Sequence, residues 1–457
     1  MKPTAQPVVR ALPETGEGTD LTDLHAHRRE RYPFLLQSIA SGTPQGRWDI
    51  LFAFPGERLT LDAAGDLHGS PGDDDFLSAL DGWFARAGQP GRVCPEGLPF
   101  CGGWFLYLGY ELAGQVEPKL ALPEVEEPLP TALAVRVPAA ILRDRDSGCL
   151  WWVAESAEAD AEYWPRVCAD RELPPRSARA ELQDLTEEDG ASYHAAVARA
   201  RRYIRDGDIF QANLARCWRG RLASGSEPVA LYRQLATHNP APFAGLADLG
   251  SATVISSSPE RLLSIHQGRA AMRPIAGTRP RGAGAGDRAL SDELMRHPKE
   301  RAEHVMLIDL IRNDLGRVCR PGSVTVDELM VLETYAHVHH IVSNVVGDLR
   351  PGIGPGEAIR AVFPGGTITG CPKVRCLAII AELEQQGRGA YTGSMGYLDG
   401  GGDLDLNILI RTLVQSGDDL TLRAGAGIVA DSEPEAELAE TRAKARGLLA
   451  ALEAVRR

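Results

Sequence analysis

No regular β–α–β alternation runs along this chain, and that absence constrains the fold more than any single motif. From Tyr32 onward, short apolar runs follow one another (FLLQS, RWDILFAF, LTLDAAGDL), each bounded by Gly, Pro or Asp. Such runs predict antiparallel strands. The pattern predicts a helix over 75–90, a buried strand or helix entry over 102–112, and a hairpin from TALAVRVPAAILRD and CLWWVAE turning near Asp144–Gly148. The C-terminal half mixes strands (SATVISSSP, TYAHVHHIVSNVVG, LNILIRTLV, LTLRAGAGIVA) with helices over about 290–314, 355–362, 372–386 and 434–455. The expected class is α+β, with large antiparallel sheets flanked by helices, which fits the pattern better than a doubly wound parallel sheet. Residues 1–30 are polar and punctuated by Pro and Gly, which predicts that they are frayed in part. The polar, Pro-bearing stretch 170–190 reads as a linker, giving an N-terminal domain over 1–175 and a C-terminal domain over 190–457. After the linker, SYHAAVARARRYIRDGD predicts a helix ended at Gly207.

Composition narrows the chemistry. Apolar residues make up 44% and charged residues 24%, which is globular composition. The formal charge of -13 repels phosphate backbones, so nucleic acid is not an expected partner. Only five of the 49 basic residues are lysines (Lys2, Lys119, Lys299, Lys373 and Lys444), so a mid-chain lysine hints at a place where guanidinium does not serve. The eight cysteines form no CxxC pair and lack zinc-type spacing. With no signal-like N-terminus and no apolar run of membrane length, the chain is expected to be cytoplasmic, off the membrane, with reduced thiols.

Several residues could carry chemistry. Glu437, Glu440 and Lys444 share one face of the last helix, at i, i+3 and i+7. Two carboxylates a turn apart suit a hard divalent cation such as Mg²⁺; the plain alternative is a solvated Glu/Lys face. A strand running into Gly425-Ala426-Gly427 just before that helix lets backbone amides approach an anion. Glu303 lies on an apolar helix and needs a partner, whether a cation, a metal or a donor network, unless it faces water. In HVHHIVSNVV, alternation puts His337 and His339 on one face and His340 on the other. No third ligand supports a metal there; His340 reads as a single pocket-facing donor or a structural histidine. FPGGTITGCPKVR resembles a phosphate loop, but its lysine is misplaced and the nucleotide reading fails. Thr367 and Thr369, at a helix start, could still hold an anion or a hydroxyl. GAGAG at 282–286 reads as a mobile loop. Arg411 interrupts an apolar strand, so its charge must be paired or face a pocket, naturally as a carboxylate clamp.

These pieces occur together, and in this order, in the chorismate-utilising enzymes, which this chain resembles over nearly all of 193–455. The matching stretches are GDIFQANLAR, SSSPERLL, RPIAGTRPRG, HPKERAEHVMLIDLIRNDLGRV, HVHHIVS, FPGGTITGCPKVR, YTGSMGY, LNILIRT and GAGIVADSEPEAELAETRAKA. The resemblance implies a chorismate-binding catalytic domain with a fold like component I of anthranilate and aminodeoxychorismate synthases. It implies that Glu260 protonates the departing C4 hydroxyl. Glu303 and Glu440 are implied as Mg²⁺ ligands, with Glu437 nearby. Gly425 and Gly427 would offer amides to the ring carboxylate; Tyr391 and Arg411 would clamp the enolpyruvyl carboxylate. His340, Thr369 and Lys444 are implied as active-site donors, and Ala276 and Thr278 as substrate-side residues.

The sequence most resembles component I of aminodeoxychorismate synthase, through RYPFLLQS with RWDILFAFPGE, GGTITGCPK, and YTGSMGYLDGGGDLDLNILIRTL. That implies amination at C4, with ammonia from a separate glutaminase subunit for which this chain has no room. Component I of anthranilate synthase is the alternative, because Ala276 in PIAGT stands where some aminodeoxychorismate synthases carry a lysine nucleophile. The chain has no lysine between Lys119 and Lys299, against the hydroxylating members of the family. The family also implies a tryptophan-sized pocket beside Leu35-Leu36-Gln37-Ser38.

Overall fold

A computed structural model describes residues 6–13, 20–40, 46–69, 75–281, 285–334 and 338–456. Two large sheets dominate it, of 12 and 11 strands, and their ladders are antiparallel. The expected α+β class is what the chain adopts.

Strand alternation explains the layering. In Gly103–Leu108 of the 11-stranded sheet, Trp104, Leu106 and Leu108 turn outward into one apolar cluster with the helix Phe76–Ala87. Phe105 and Tyr107 turn the other way, into a cluster with Phe34 and Phe52 of the 12-stranded sheet. Phe34 and Phe105 stack with ring centroids 3.9 Å apart, so the two sheets meet face to face across these side chains. A third cluster covers the outside of the 12-stranded sheet with the helices Pro228–His238 and Pro434–Glu453. Each aromatic buried this way contributes about 2–3 kcal/mol.

Both sheets draw strands from both halves of the chain. Phe34–Gln37 pairs with Phe243–Asp248, and Gly103–Leu108 pairs with Ser394–Asp399. TALAVRVPAAILRD, expected to be one arm of a hairpin, is two strands. Ala132–Val137 lies in one sheet and Ala139–Asp144 in the other, with Pro138 between them. Proline cannot donate to a ladder, so the chain changes sheets there. The hairpin with Leu150–Ala154 forms as expected.

Other local expectations are corrected. Within the 170–190 stretch, Leu182–Glu187 is a strand paired with Gln211–Leu222, not linker. Within residues 1–30, expected to be ordered only in part, Val8–Leu12 pairs with Leu150–Ala154 and Leu21–His27 is a helix. The helix expected over 290–314 is two, Ala285–Arg296 and Pro298–Gly316, broken at His297-Pro298, where proline suits a helix start. The strand expected in TYAHVHHIVSNVVG forms as Val338–Asp348, and it pairs with a strand not expected, Thr325–Thr334. The 282–284 part of GAGAG and His337 lie outside the described residues.

The expectation of uniformly reduced thiols is also corrected. Cys94 and Cys101 form a disulfide, with Cα atoms 5.8 Å apart. A turn at Pro95–Gly97 folds the chain back, so no CxxC spacing is needed. Asp399 joins the two sulfurs in the one group of metal-ligand type among the described residues, although the sulfurs are spent on each other. Among the described residues no helix is long and apolar enough to cross a membrane.

Candidate active site

Two chain segments cross from one sheet to the other side by side. Thr253–Ser258 belongs to the 12-stranded sheet and Arg261–His266 to the other, so Glu260 sits on the crossover. Leu404–Asn407 and Thr412–Ser416 are divided in the same way, with Arg411 on the link. Arg411 was expected within a strand. Instead its φ of +52° places it in the left-handed region, where a residue with a Cβ is held only if its surroundings demand it. The crossovers are tied together by Ile408 N–H donating to Glu260 O at 3.0 Å and Ser257 N–H donating to Arg411 O at 3.0 Å.

The charges at this crossing are unusual. Glu260 is 7% exposed. Burial pushes its carboxyl up to about 7, against the pull of the Thr367 hydroxyl, Lys444 and Arg411. Thr367 Oγ1 donates to Glu260 Oε1 at 2.7 Å. Arg411 is partly buried, and burial lowers its pKa while Glu260 raises it. His340 is buried; burial and then Arg411 lower its pKa to about 4, against a hydrogen bond with the Gly277 backbone. It is therefore a neutral imidazole at physiological pH; its one N–H is held by the Gly277 carbonyl, so its other ring nitrogen is an acceptor, not the donor expected from the sequence.

The floor is made by two neighbouring strands. Asp419–Ile428 pairs with Gln211–Leu222, placing Gly425 opposite Ala215 and Gly427 opposite Asn213. A Cβ on Gly425 would lie 2.6 Å from Asn213 Oδ1 and 2.8 Å from the Tyr391 hydroxyl; one on Gly427 would lie 2.4 Å from Gln211 Nε2. Both positions need glycine because polar side chains close over the strand. Tyr391 is buried, and burial pushes its phenol up to about 12. Beneath it the Arg388 guanidinium is clasped by Glu384 at 2.6 Å and donates to the carbonyls of Asn213 and Ile368.

The carboxylate helices close the remaining side. Gln211 Nε2 donates to Glu303 Oε1 at 3.1 Å. Burial raises the Glu303 pKa; Gln211 and Lys444 oppose this, while Glu300 and Glu440 add to it. Glu440 pairs with Lys444 at 2.8 Å, both about half exposed. Glu437 stands in the first turn of Pro434–Glu453, where free amides favour a carboxylate, and its charge reaches the buried Tyr193. Glu303 on one helix and Glu440 with Lys444 on another thus lie within electrostatic reach. Oxygen-only donors that repel one another suit a hard divalent cation. The oxygens of all three glutamates do not come within 4.8 Å of one another among the described residues, so holding one ion together requires their side chains to swing inward.

One expected residue, Thr369, turns away from this cluster, its hydroxyl pointing into its own loop and donating to Gly365 O at 2.9 Å. The hydroxyl that meets the acid belongs to Thr367. Ala276 is buried in Ile275–Pro280, opposite Ile341; Thr278 pairs His340 in register, and its side chain lies outside the described residues. Gln211, Asn213, Arg388 and Glu384 were not singled out. Only the burial of polar side chains around Tyr391 and the glycines marks them.

Comparison with known proteins fits this geometry. The model for chorismate binding enzymes matches residues 38–450. Anthranilate synthase component 1 of Thermus thermophilus is 41% identical over 437 residues, covering 92% of each chain. Aminodeoxychorismate synthase component 1 of Bacillus subtilis is 39% identical over 400 residues, 83% of each. The crystal structure of anthranilate synthase component I from Streptococcus pneumoniae superposes with a TM-score of 0.80 at 31% identity, covering 89% of this chain and 93% of that one. A buried acid, a guanidinium beside it and paired glycines under a tyrosine, on a chain matched along nearly its whole length, place it among the chorismate-utilising enzymes: the chain belongs to the chorismate-binding enzyme family.

Proposed function

We propose that the chain aminates chorismate at C4, giving 4-amino-4-deoxychorismate, with ammonia from a glutaminase subunit. The observation that carries the chemistry is Glu260, a buried carboxyl titrating at about 7 with a hydroxyl on one oxygen and a guanidinium nearby. An acid tuned to that value can hold a proton at neutral pH and release it. Glu260 gives its proton to the C4 oxygen, the C–O bond breaks and water leaves. Ammonia forms the new C–N bond with its lone pair, and the proton it sheds restores the acid.

The other residues offset the cost of burying a dianion. Arg411, whose guanidinium makes no hydrogen bond or ion pair with the described residues, takes the enolpyruvyl carboxylate with Tyr391. The amides of Gly425 and Gly427 face the ring carboxylate. Neutral His340, its N–H held by the Gly277 carbonyl, offers its other ring nitrogen as an acceptor near the ring, and Lys444 adds positive charge beside Glu260. Glu303, Glu440 and Glu437 would hold Mg²⁺, which when bound neutralises the ring carboxylate and polarises the ring toward allylic substitution. The name "component 1", shared by the relatives from both pathways, supports a second component as the ammonia source. A cavity of about 470 Å³ lined by Leu36, Gln37, Ser38, Met395, Tyr397 and Asn407 is of a size to take tryptophan.

Amination at C4 rests on FPGGTITGCPKVR and YTGSMGYLDGGGDLDLNILIRTL and on the Bacillus subtilis relative. A second reading, amination at C2 followed by pyruvate loss to anthranilate, is favoured by Ala276, whose methyl cannot act as a nucleophile, and by the Thermus thermophilus relative. The test is incubation with chorismate, Mg²⁺ and an ammonium salt. A product that yields 4-aminobenzoate only after a lyase is added is expected; fluorescent anthranilate without lyase would overturn the C4 assignment.

A further inference from the structure

Lys373 takes no part in the chemistry above, yet its placement is costly. It is the first residue of the helix Lys373–Glu384, where the helix dipole disfavours a cation. Its side chain folds back from solvent, donating to Asp314 Oδ2 at 2.6 Å and to Val362 O at 3.1 Å. The pair is buried, with side chains 13% and 4% exposed. Val362 is the residue just before the 363–372 loop and Lys373 the residue just after it, so one ammonium closes the base of the loop. Asp314 anchors that base to Pro298–Gly316, the helix that carries Glu303.

The rest of the loop is fixed on two sides. Phe210 N–H donates to Cys371 O and Asn213 N–H to Thr369 O, both at 2.8 Å, lacing its later half to the strand of the floor. Gly366 lies against the same anchoring helix, where a Cβ would come 2.2 Å from Leu310 Cδ2. Between these points Thr367 projects onto Glu260. We propose that the buried Lys373–Asp314 pair is a positioning device, closing the 363–372 loop so that the Thr367 hydroxyl stays on Glu260; this rests on the acid role proposed above for Glu260. A compact ammonium can meet a carboxylate and a carbonyl in so small a space, and the planar guanidinium fork cannot, which accounts for a lysine in a chain otherwise so rich in arginine.

The charged groups that bear on Glu260 are Arg411 from the crossover and Lys444 from the last helix, and neither touches Lys373. A general acid must be protonated, so activity falls as pH rises through its pKa. The Thr367 hydroxyl lowers that pKa; losing it moves the alkaline limb upward. Thr367→Val should shift the limb of chorismate consumption up by about one pH unit and lower kcat about tenfold, with KM within about twofold. Lys373→Met leaves Asp314 buried and unpaired, so the decisive variant is Asp314→Asn with Lys373→Met, which buries no lone charge and should melt within a few degrees of wild type. It should reproduce the limb shift and the loss of kcat, and adding Thr367→Val should shift the limb no further. A double variant with the wild-type limb and kcat sinks the clamp alone. A wild-type profile without a limb that Glu260→Gln abolishes sinks the acid role and the clamp with it.

Discussion

Glu260→Gln is expected to lower kcat by a factor on the order of 10³ while chorismate still binds. Glutamine keeps the shape and can still meet the Thr367 hydroxyl, but it has no proton to give the leaving oxygen. Unfolding does not explain the loss. Because burial raises the Glu260 pKa from 4.5 to about 7, the folded chain holds a proton there that the unfolded chain releases. Folding is therefore favoured by this group below pH 4.5, and that advantage drains as pH rises to about 7. Above that range the wild type carries a buried charge the variant lacks, so the variant should melt at least as high. Steady-state kinetics and thermal melts at pH 8, run on the same preparation, separate the two effects. A variant retaining a tenth or more of wild-type kcat would remove Glu260 from the mechanism.

Arg411→Ala should raise KM for chorismate about a hundredfold, the loss of two charge-assisted hydrogen bonds to one carboxylate. Alanine keeps the Cβ, so the cost of a φ of +52° is unchanged and the effect reports the guanidinium. Arg411→Lys should recover only part of the binding, because a point charge cannot make the bidentate contact. Arg411 also lowers the Glu260 pKa, so its removal should shift the alkaline limb upward as well. An unchanged KM in initial-rate measurements would count against the clamp.

Much of this was legible in the sequence because the chemistry rests on residue types that are out of place in their surroundings. Arg411 among apolar residues, the GxG before a carboxylate helix and Glu303 on an apolar helix each announced a polar partner. What the sequence hid was set by tertiary contacts. Pro138 divides one apolar run between two sheets, and Arg411 sits on a crossover instead of a strand, neither of which periodicity reports. Thr367 and Thr369 differ by two residues in one Gly-rich loop, and only the fold shows which hydroxyl reaches the acid. The strand at Leu182–Glu187 is half exposed at a sheet edge, so its composition looked like linker. The Cys94–Cys101 pairing depends on a turn, not on a spacing rule.

The most direct test of the central claim is a crystal structure of the Glu260→Gln variant with chorismate and Mg²⁺. The account predicts the C4 oxygen at residue 260, the enolpyruvyl carboxylate on Arg411 and Tyr391, and the ring carboxylate over Gly425 and Gly427 beside a metal held by Glu303 and Glu440. Chorismate bound elsewhere, or turned so that its C4 oxygen points away from residue 260, would contradict it.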